Sequence, residues 1–417
     1  MNSPFTRLGT ANAYDSSLYN LAARQSSLAN LHDKLTSGKR ITSASDDPTS
    51  AAIAERSLTR ISRLAADQRA LDSQTNAIAL AETTLGEITE TLQSFRELVV
   101  SAGNGGHSAA ERQAIAFELT GLRDQIISSS NLKDTNGLPL FGALGSALRP
   151  FTGPQATAPD YTFAGLPGQA ASQAVAIPTA LDGDSAFMLH PVRDQSFNVT
   201  VSTVGASNTL RSGAVSVSNA SLASTDSYQI QITGLDTTTT PGNTIVQYSV
   251  TNTTLGTPAV TYTAAPYVTG QTASIAVTGM AGLALTLTGS PAVGNKVNVS
   301  PNASIFSVMD NAIKDLTSAT TSNAVGQAVG QALSNLDIGM QRVSIVRGKA
   351  GDLLGRAERI TANQQKRGVQ LESDRSTAED MDMVKGISDF NNLQTGYQAA
   401  LQTYAQVQKL SLFNFIG

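Results

Sequence analysis

Histidines, clustered carboxylates and glycine-rich turns are where hydrolytic, metal or phosphate chemistry would first show. The chain has three histidines, His32, His107 and His190, dispersed and without the H-E-x-x-H spacing that puts two imidazoles on one helical face. Glu379, Asp380 and Asp382 offer oxygen to a hard cation, but their spacing lacks the remaining ligands of a calcium loop. Acidic residues at a helix start, favoured by the macrodipole, are the reading preferred for them. Gly348–Lys349 is followed by Ala350 and lacks the upstream glycine of a phosphate-binding loop. The Gly103–Gly106 cluster follows a helical pattern rather than a strand, which argues against a dinucleotide fingerprint. G-x-S-x-G is absent, and with no cysteine there is no disulfide, iron–sulfur cluster or cysteine-based zinc site. No catalytic constellation assembles from these residues. The expectation is a protein that is not an enzyme, with no catalytic residues, no cofactor and no metal.

The elements that carry these residues fall into three compositional blocks. Residues 151–300 hold only nine of the 60 charged side chains but nine of the 14 prolines. Short Thr-, Val- and Ser-rich runs such as 196–204, 227–235, 243–252 and 274–280 alternate with period two between Gly, Pro and Asn, predicting antiparallel β structure. The flanks are rich in Ala, Leu, Gln and Glu, with no proline from 49 to 138 or after 301, and predict helices. Their apolar period is close to 3.5, the spacing of coiled coils and bundles. Ile61, Leu64, Leu71 and Ile78 continue into Leu85, Ile88, Leu92, Phe95 and Val99, with Gln68 and Thr75 as polar interruptions. Leu333, Leu336, Met340, Val343, Ala350 and Leu354 repeat likewise, interrupted by Arg347. At the two ends, Leu18, Leu21, Leu28 and Leu35 form one stripe and Phe390, Leu393, Tyr397, Ala400, Tyr404 and Val407 another. Two such arms most simply pair with each other. The expected architecture is mainly α with an inserted β domain: terminal helices in a coiled coil, adjoining helices in a bundle, and a central antiparallel β domain.

Local punctuation supports these elements. Ser108–Ala–Ala–Glu111 is a capping box. Asn136–Gly137 marks a turn. Gly38 sits where a left-handed helix terminus is needed, Asp46 or Asp47 suits an N-cap, and Pro48 suits the first helical position. Capping explains Gly38, Asp46, Asp47 and Pro48, but not the cations Lys39 and Arg40. These either are incidental or contact a neighbouring subunit or the Asp380–Asp382 segment.

With 28 basic and 32 acidic residues the formal charge is −4, with no basic block that would suggest nucleic acid. No apolar run reaches the roughly 18 residues of a membrane span. The opening MNSPFTRLGT has no apolar stretch, so no cleaved Sec-type signal is expected.

Ser37-Gly38-Lys39-Arg40-Ile41 followed by Ala44-Ser45-Asp46-Asp47-Pro48 resembles the signature of the flagellin superfamily. The Asp-Asp-Pro ending resembles its hook-associated, hook–filament junction branch more than filament flagellin. Glu379-Asp380-Met381-Asp382, Gln398-Ala399-Ala400-Leu401-Gln402 and Lys409-Leu410-Ser411-Leu412-Phe413-Asn414 resemble the C-terminus of the same branch. The resemblance covers roughly 1–150 and 301–417. Met1–Thr6 precedes the Arg7-Leu8-Gly9-Thr10 where such proteins commonly start, a departure that leaves an extension open.

The resemblance implies a coiled-coil domain of 1–44 plus 379–417, a helical bundle of 45–150 plus 301–378, and an outer β domain of 151–300. It implies a secreted structural component of the bacterial flagellum, passed through type III export. Its implied partners are hook-associated protein 1, flagellin, a ring of its own copies, and an export chaperone on the C-terminal helix, with no nucleic acid or membrane. The implied assembly interface comprises Leu18, Leu21, Leu28, Leu35, Phe390, Leu393, Tyr397, Leu401, Tyr404, Val407, Leu410, Leu412 and Phe413. Ser37, Gly38, Lys39, Arg40, Asp46, Asp47 and Pro48 form the signature connector. Filament flagellin, or an adhesin carried on such a scaffold, remain the alternatives.

Overall fold

The structure is a computed structural model that describes residues 4–156, 160–205 and 208–416, with side chains described between Asp15 and Gln406. The chain forms two compact units, 1–69 with 361–417, and 70–360.

The first unit is helical. Helix α1 (Pro4–Ser37) ends at Gly38, and α2 (Pro48–Ala102) starts at the predicted proline. Across the chain, α7 (Ser322–Glu379) gives way after a three-residue break to α8 (Met383–Ile416). Helices α1 and α8 pack against each other, as two arms each carrying an apolar stripe would.

The second unit holds two separate apolar cores. The helical core takes the predicted α2 stripe: Leu71, Ile78, Leu85, Ile88, Leu92, Phe95 and Val99 are all buried. It also takes Leu119 and Ile126 of α3 (Ala109–Ser130), and Leu336, Val343 and Ala350 of α7. Polar residues that interrupt the stripes find partners. The Thr75 hydroxyl donates to the Leu71 carbonyl at 2.8 Å, and Arg347 pairs with Glu82 at 2.7 Å. Ser108 caps α3 as predicted: its Oγ accepts from Glu111 N–H at 3.3 Å, while the Glu111 carboxylate accepts from Ser108 N–H at 2.6 Å.

Residues 151–194 pack with the helices and not with the β sheets. Phe151, Tyr161, Ile177, Leu181 and Phe187 all belong to the helical core, with the short helices α4 (Gly183–Phe187) and α5 (Pro191–Asp194). Phe187 meets Phe141 and Phe151 edge to face at ring centroid distances of 5.4 and 5.2 Å, Phe151 meets Phe306 edge to face at 5.6 Å, and Phe187 stacks on Phe306 at 5.8 Å. Phe306 opens α6 (Ile305–Ser318). A proline-rich segment without a helical repeat therefore adds its aromatics to the helical core.

The β core starts at Phe197. Its larger sheet is antiparallel, in the order Phe197–Ser202, Lys296–Pro301, Tyr228–Asp236, Asn243–Asn252 and Val260–Thr263. Alternation sets the faces: Tyr228, Ile230 and Ile232 are buried while Gln229 and Gln231 between them are half-buried. The smaller sheet pairs Ala273–Val277 with Leu283–Gly289, which also carries Arg211–Ser212 and Ser216–Val217.

Candidate assembly site: the terminal helix pair and its clasp

Leu21, Leu28 and Leu35 of α1, and Phe390, Leu393, Tyr397 and Tyr404 of α8, are half-buried. His32 lies beside this seam, exposed, with its ring 6.1 Å from that of Phe390 and tilted by 39°. Gly386 is buried at the seam: a methyl group there would run into Met381 and crowd Leu35. Leu18 and Leu401 are more open, each 39% exposed, and Tyr19, Val384 and Ile387 are more exposed still. The side chains of Val407, Leu410, Leu412 and Phe413 lie outside the described residues.

The connector between α1 and α2 meets the break between α7 and α8. Gly38 takes φ +70°, the left-handed conformation that closes a helix at no side-chain cost. That turn brings the connector alongside the break as a short antiparallel bridge. Arg40 N–H donates to the Glu379 carbonyl at 2.8 Å, and Met381 N–H to the Gly38 carbonyl at 2.9 Å. Both unexplained cations act here. Lys39 forms an ion pair with Glu379. The Arg40 guanidinium reaches the Asp47 carboxylate at 3.3 Å and the Ala378 carbonyl at 2.8 Å. The expected contact to the 380–382 acidic segment is thus displaced by one residue to Glu379, which is also held by Arg375 at 3.0 Å. The reading of all three acids as helix-start residues is corrected too. Glu379 is the last residue of α7, and Asp382 alone caps α8, accepting from Val384 and Lys385 N–H at 3.0 and 3.1 Å.

Asp46 and Asp47 divide the capping between them. Asp46 accepts from the Thr42 and Ser43 backbone at 3.1 and 3.3 Å, which tightens the connector, and backbone donation from Thr42 and Ser43 holds its carboxyl below the ordinary value. Asp47 accepts from Ser50 N–H at 3.1 Å and Thr49 Oγ1 at 2.7 Å at the start of α2; hydrogen bonds from Ser50 and Thr49 hold its carboxyl well below the ordinary range. Ser37 Oγ accepts from Lys39 N–H at 3.4 Å, and Pro48 opens α2. Ile41, read from sequence as part of the signature without a role, and Gly386, not singled out there, are both buried at this site. Ile41 had a signal, being the only large apolar residue between Thr36 and Pro48.

The arrangement presents partly exposed apolar surface on a pair of helices braced by the clasp. Among the described residues no group of three or more His, Cys, Asp or Glu is placed to hold a metal ion, and no helix is long and apolar enough to cross a membrane.

Family models of the bacterial flagellin N-terminal and C-terminal helical regions match residues 9–144 and 333–416, together more than half the chain. The flagellar hook-associated protein 3 of Salmonella typhimurium is 30% identical over 153 residues, which is 35% of this chain and 46% of that protein. This chain therefore spans about half the length of that relative. A flagellin of Serratia marcescens is 35% identical over 127 residues, 30% of this chain and 35% of its own. The crystal structure of the flagellar junction protein FlgL from Legionella pneumophila shares the fold, with a TM-score of 0.55 at 24% identity over 73% of this chain and 98% of that one.

Proposed function

The chain belongs to the flagellin superfamily, and from that membership we propose that it is a non-enzymatic structural subunit of the bacterial flagellum, seated at the hook–filament junction. The observation that carries the reading is the α1–α8 pair, whose apolar seam is only half covered within one chain. Burying a Leu-sized side chain contributes about 1.5–3 kcal/mol. Leu18, Leu21, Leu28, Leu35, Phe390, Leu393, Tyr397, Leu401 and Tyr404 therefore hold enough uncovered area to drive docking on neighbouring copies. Such contacts are heterologous, each subunit offering a different face to its two neighbours, which suits a ring in a helical tube.

In this reading the terminal helices 1–44 and 379–417 form the inner coiled coil, 45–150 and 301–378 with the packed segment 151–194 form the bundle, and the β domain from Phe197 faces outward. The subunit is exported through the type III route, with a chaperone covering the C-terminal helix until assembly. Hook-associated protein 1 lies on one side of its ring and flagellin on the other.

The likeness to the Serratia marcescens flagellin supports filament flagellin as a second reading. Electron microscopy of cells lacking this chain, with flagellin assayed in the medium, separates the two. Bare hooks with flagellin in the medium are expected for a junction subunit. Loss of filaments without flagellin in the medium supports the second reading, and normal filaments overturn both.

A further inference from the structure

Helix α7 has two working faces between Asn323 and Leu336. Val325, Ala328, Ala332 and Leu336 are buried, the last three in the helical core. The other face carries Asn323, Gln327, Gln331 and Asn335, four amides spaced by four residues and so stacked in one row. Every amide in the row bonds to the β domain. Asn323 donates to the Leu210 carbonyl at 2.9 Å and accepts from Arg211 Nε at 2.5 Å. Gln327 accepts from Ser212 N–H at 2.9 Å and donates to Ser212 Oγ at 2.6 Å. Gln331 donates to the Gly213 carbonyl at 3.0 Å. Asn335 donates to the Phe197 carbonyl at 2.9 Å and accepts from the Ser196 hydroxyl at 3.1 Å.

Asn335 sits where the chain crosses into and out of the β domain. There Asn302 N–H donates to the Ser196 carbonyl at 3.1 Å, and the Asn302 side chain donates to Ser196 Oγ at 3.1 Å. Just before the crossing, Gln195 has φ +57°, an unusual conformation for a residue with a side chain. The crossing is a two-strand hinge, and the amide row runs up the helix away from it.

The apolar cores on either side are separate, so the contact along this row is mainly directional hydrogen bonding. Hydrogen bonds fix one orientation, yet water can replace them when the partners separate. We infer that the Asn323–Gln327–Gln331–Asn335 row is a reversible latch that holds the folded β domain in one orientation on α7, and that the domain swings as a rigid body about Ser196 and Asn302 when it opens.

The chain has no cysteine, so a pair can be introduced cleanly for fluorescence labelling. Thr237→Cys, in the exposed hairpin loop, and Ser344→Cys, on an exposed turn of α7, report domain orientation by single-molecule energy transfer. The parent pair should give one narrow transfer distribution. Adding Gln327→Ala, Gln331→Ala and Asn335→Ala should broaden it at least twofold or split it, with amide-exchange protection in strands 228–236 and 243–252 unchanged. The single substitution Gln327→Ala, the least disruptive, should broaden it partially. An unchanged width in the triple variant overturns the latch. Loss of strand protection in the single variant also overturns it, since the row would then be part of the β domain's own fold.

Discussion

Gly38 and the two aspartates of the connector show how much a turn depends on single side chains. A residue with a Cβ at φ +70° is strained even in open space, and no atom comes within 4 Å of where that Cβ would be. Gly38→Ala should therefore cost about 1–2 kcal/mol through the backbone alone, measured by chemical denaturation. The aspartates make a pH argument. Both have folded pKa values below the ordinary 3.8, through bonds from Thr42 and Ser43 at Asp46 and from Ser50 and Thr49 at Asp47. Their stabilising effect is fully present above the unfolded value and is lost as pH falls through the folded one. Carboxyl carbon NMR titration should place both midpoints under 3.8, and in Asp47→Asn the acid loosening at the start of α2 should be reduced. Midpoints at or above the ordinary value would remove the capping argument. At α3, Ser108→Ala should cost about 1 kcal/mol, the usual loss for a removed N-cap.

Helices with a regular apolar repeat were legible because burial selects the repeat directly. The α2 stripe from Leu71 to Val99 is buried along its length, and the polar interruptions Thr75 and Arg347 resolve into a backbone bond and an ion pair. Two features were not legible, each for a physical reason. Residues 151–194 share frequent proline and the lack of a helical apolar repeat with the β domain, so the two read as one block. Their phenylalanines Phe151, Phe163 and Phe187, and five of the block's nine charged residues, set them apart from the Thr- and Val-rich strands. The amide row on α7 carries no signal of its own, because Asn and Gln spaced by four look the same whether they meet water or another domain. Of the site, the stripes and the turn chemistry were readable, while the Lys39–Glu379 pairing depended on two breaks far apart in the sequence meeting at one level. At this scale the clasp can be tested. Arg40→Glu loses the Asp47 pairing and the bond to Ala378, and places like charge beside Asp47. It should weaken protection of Arg40 and Met381 amides in exchange measurements and reduce retention of flagellin on hooks. Normal motility with unchanged protection would leave the cations without a role in assembly.

The β domain enters and leaves the helical part of its unit through neighbouring residues. Asn302 N–H bonds to the Ser196 carbonyl at 3.1 Å, so the two crossing points already sit at bonding distance. Among the described residues, the helical core contains none between Phe197 and Val299, and the β core none outside those limits. Excising 197–301 and joining the ends with a short Gly-Ser linker should consequently leave the helical core intact. The loop to be closed is small, so its closure entropy is modest. The amides of Gln327, Gln331 and Asn335 would pass to water rather than be stranded, since the face they occupy becomes open. The shortened chain should retain helical circular dichroism and a cooperative melt, and the isolated 196–302 segment should fold as a β protein. If junction assembly rests on the terminal helix pair, cells carrying only the shortened chain should still hold filaments on their hooks. A chain lacking 390–417, which loses most of α8, should instead fail to incorporate while its β domain stays folded. Filament retention by that truncation, or its loss on removing the β domain alone, would move the assembly surface from the termini to the insert.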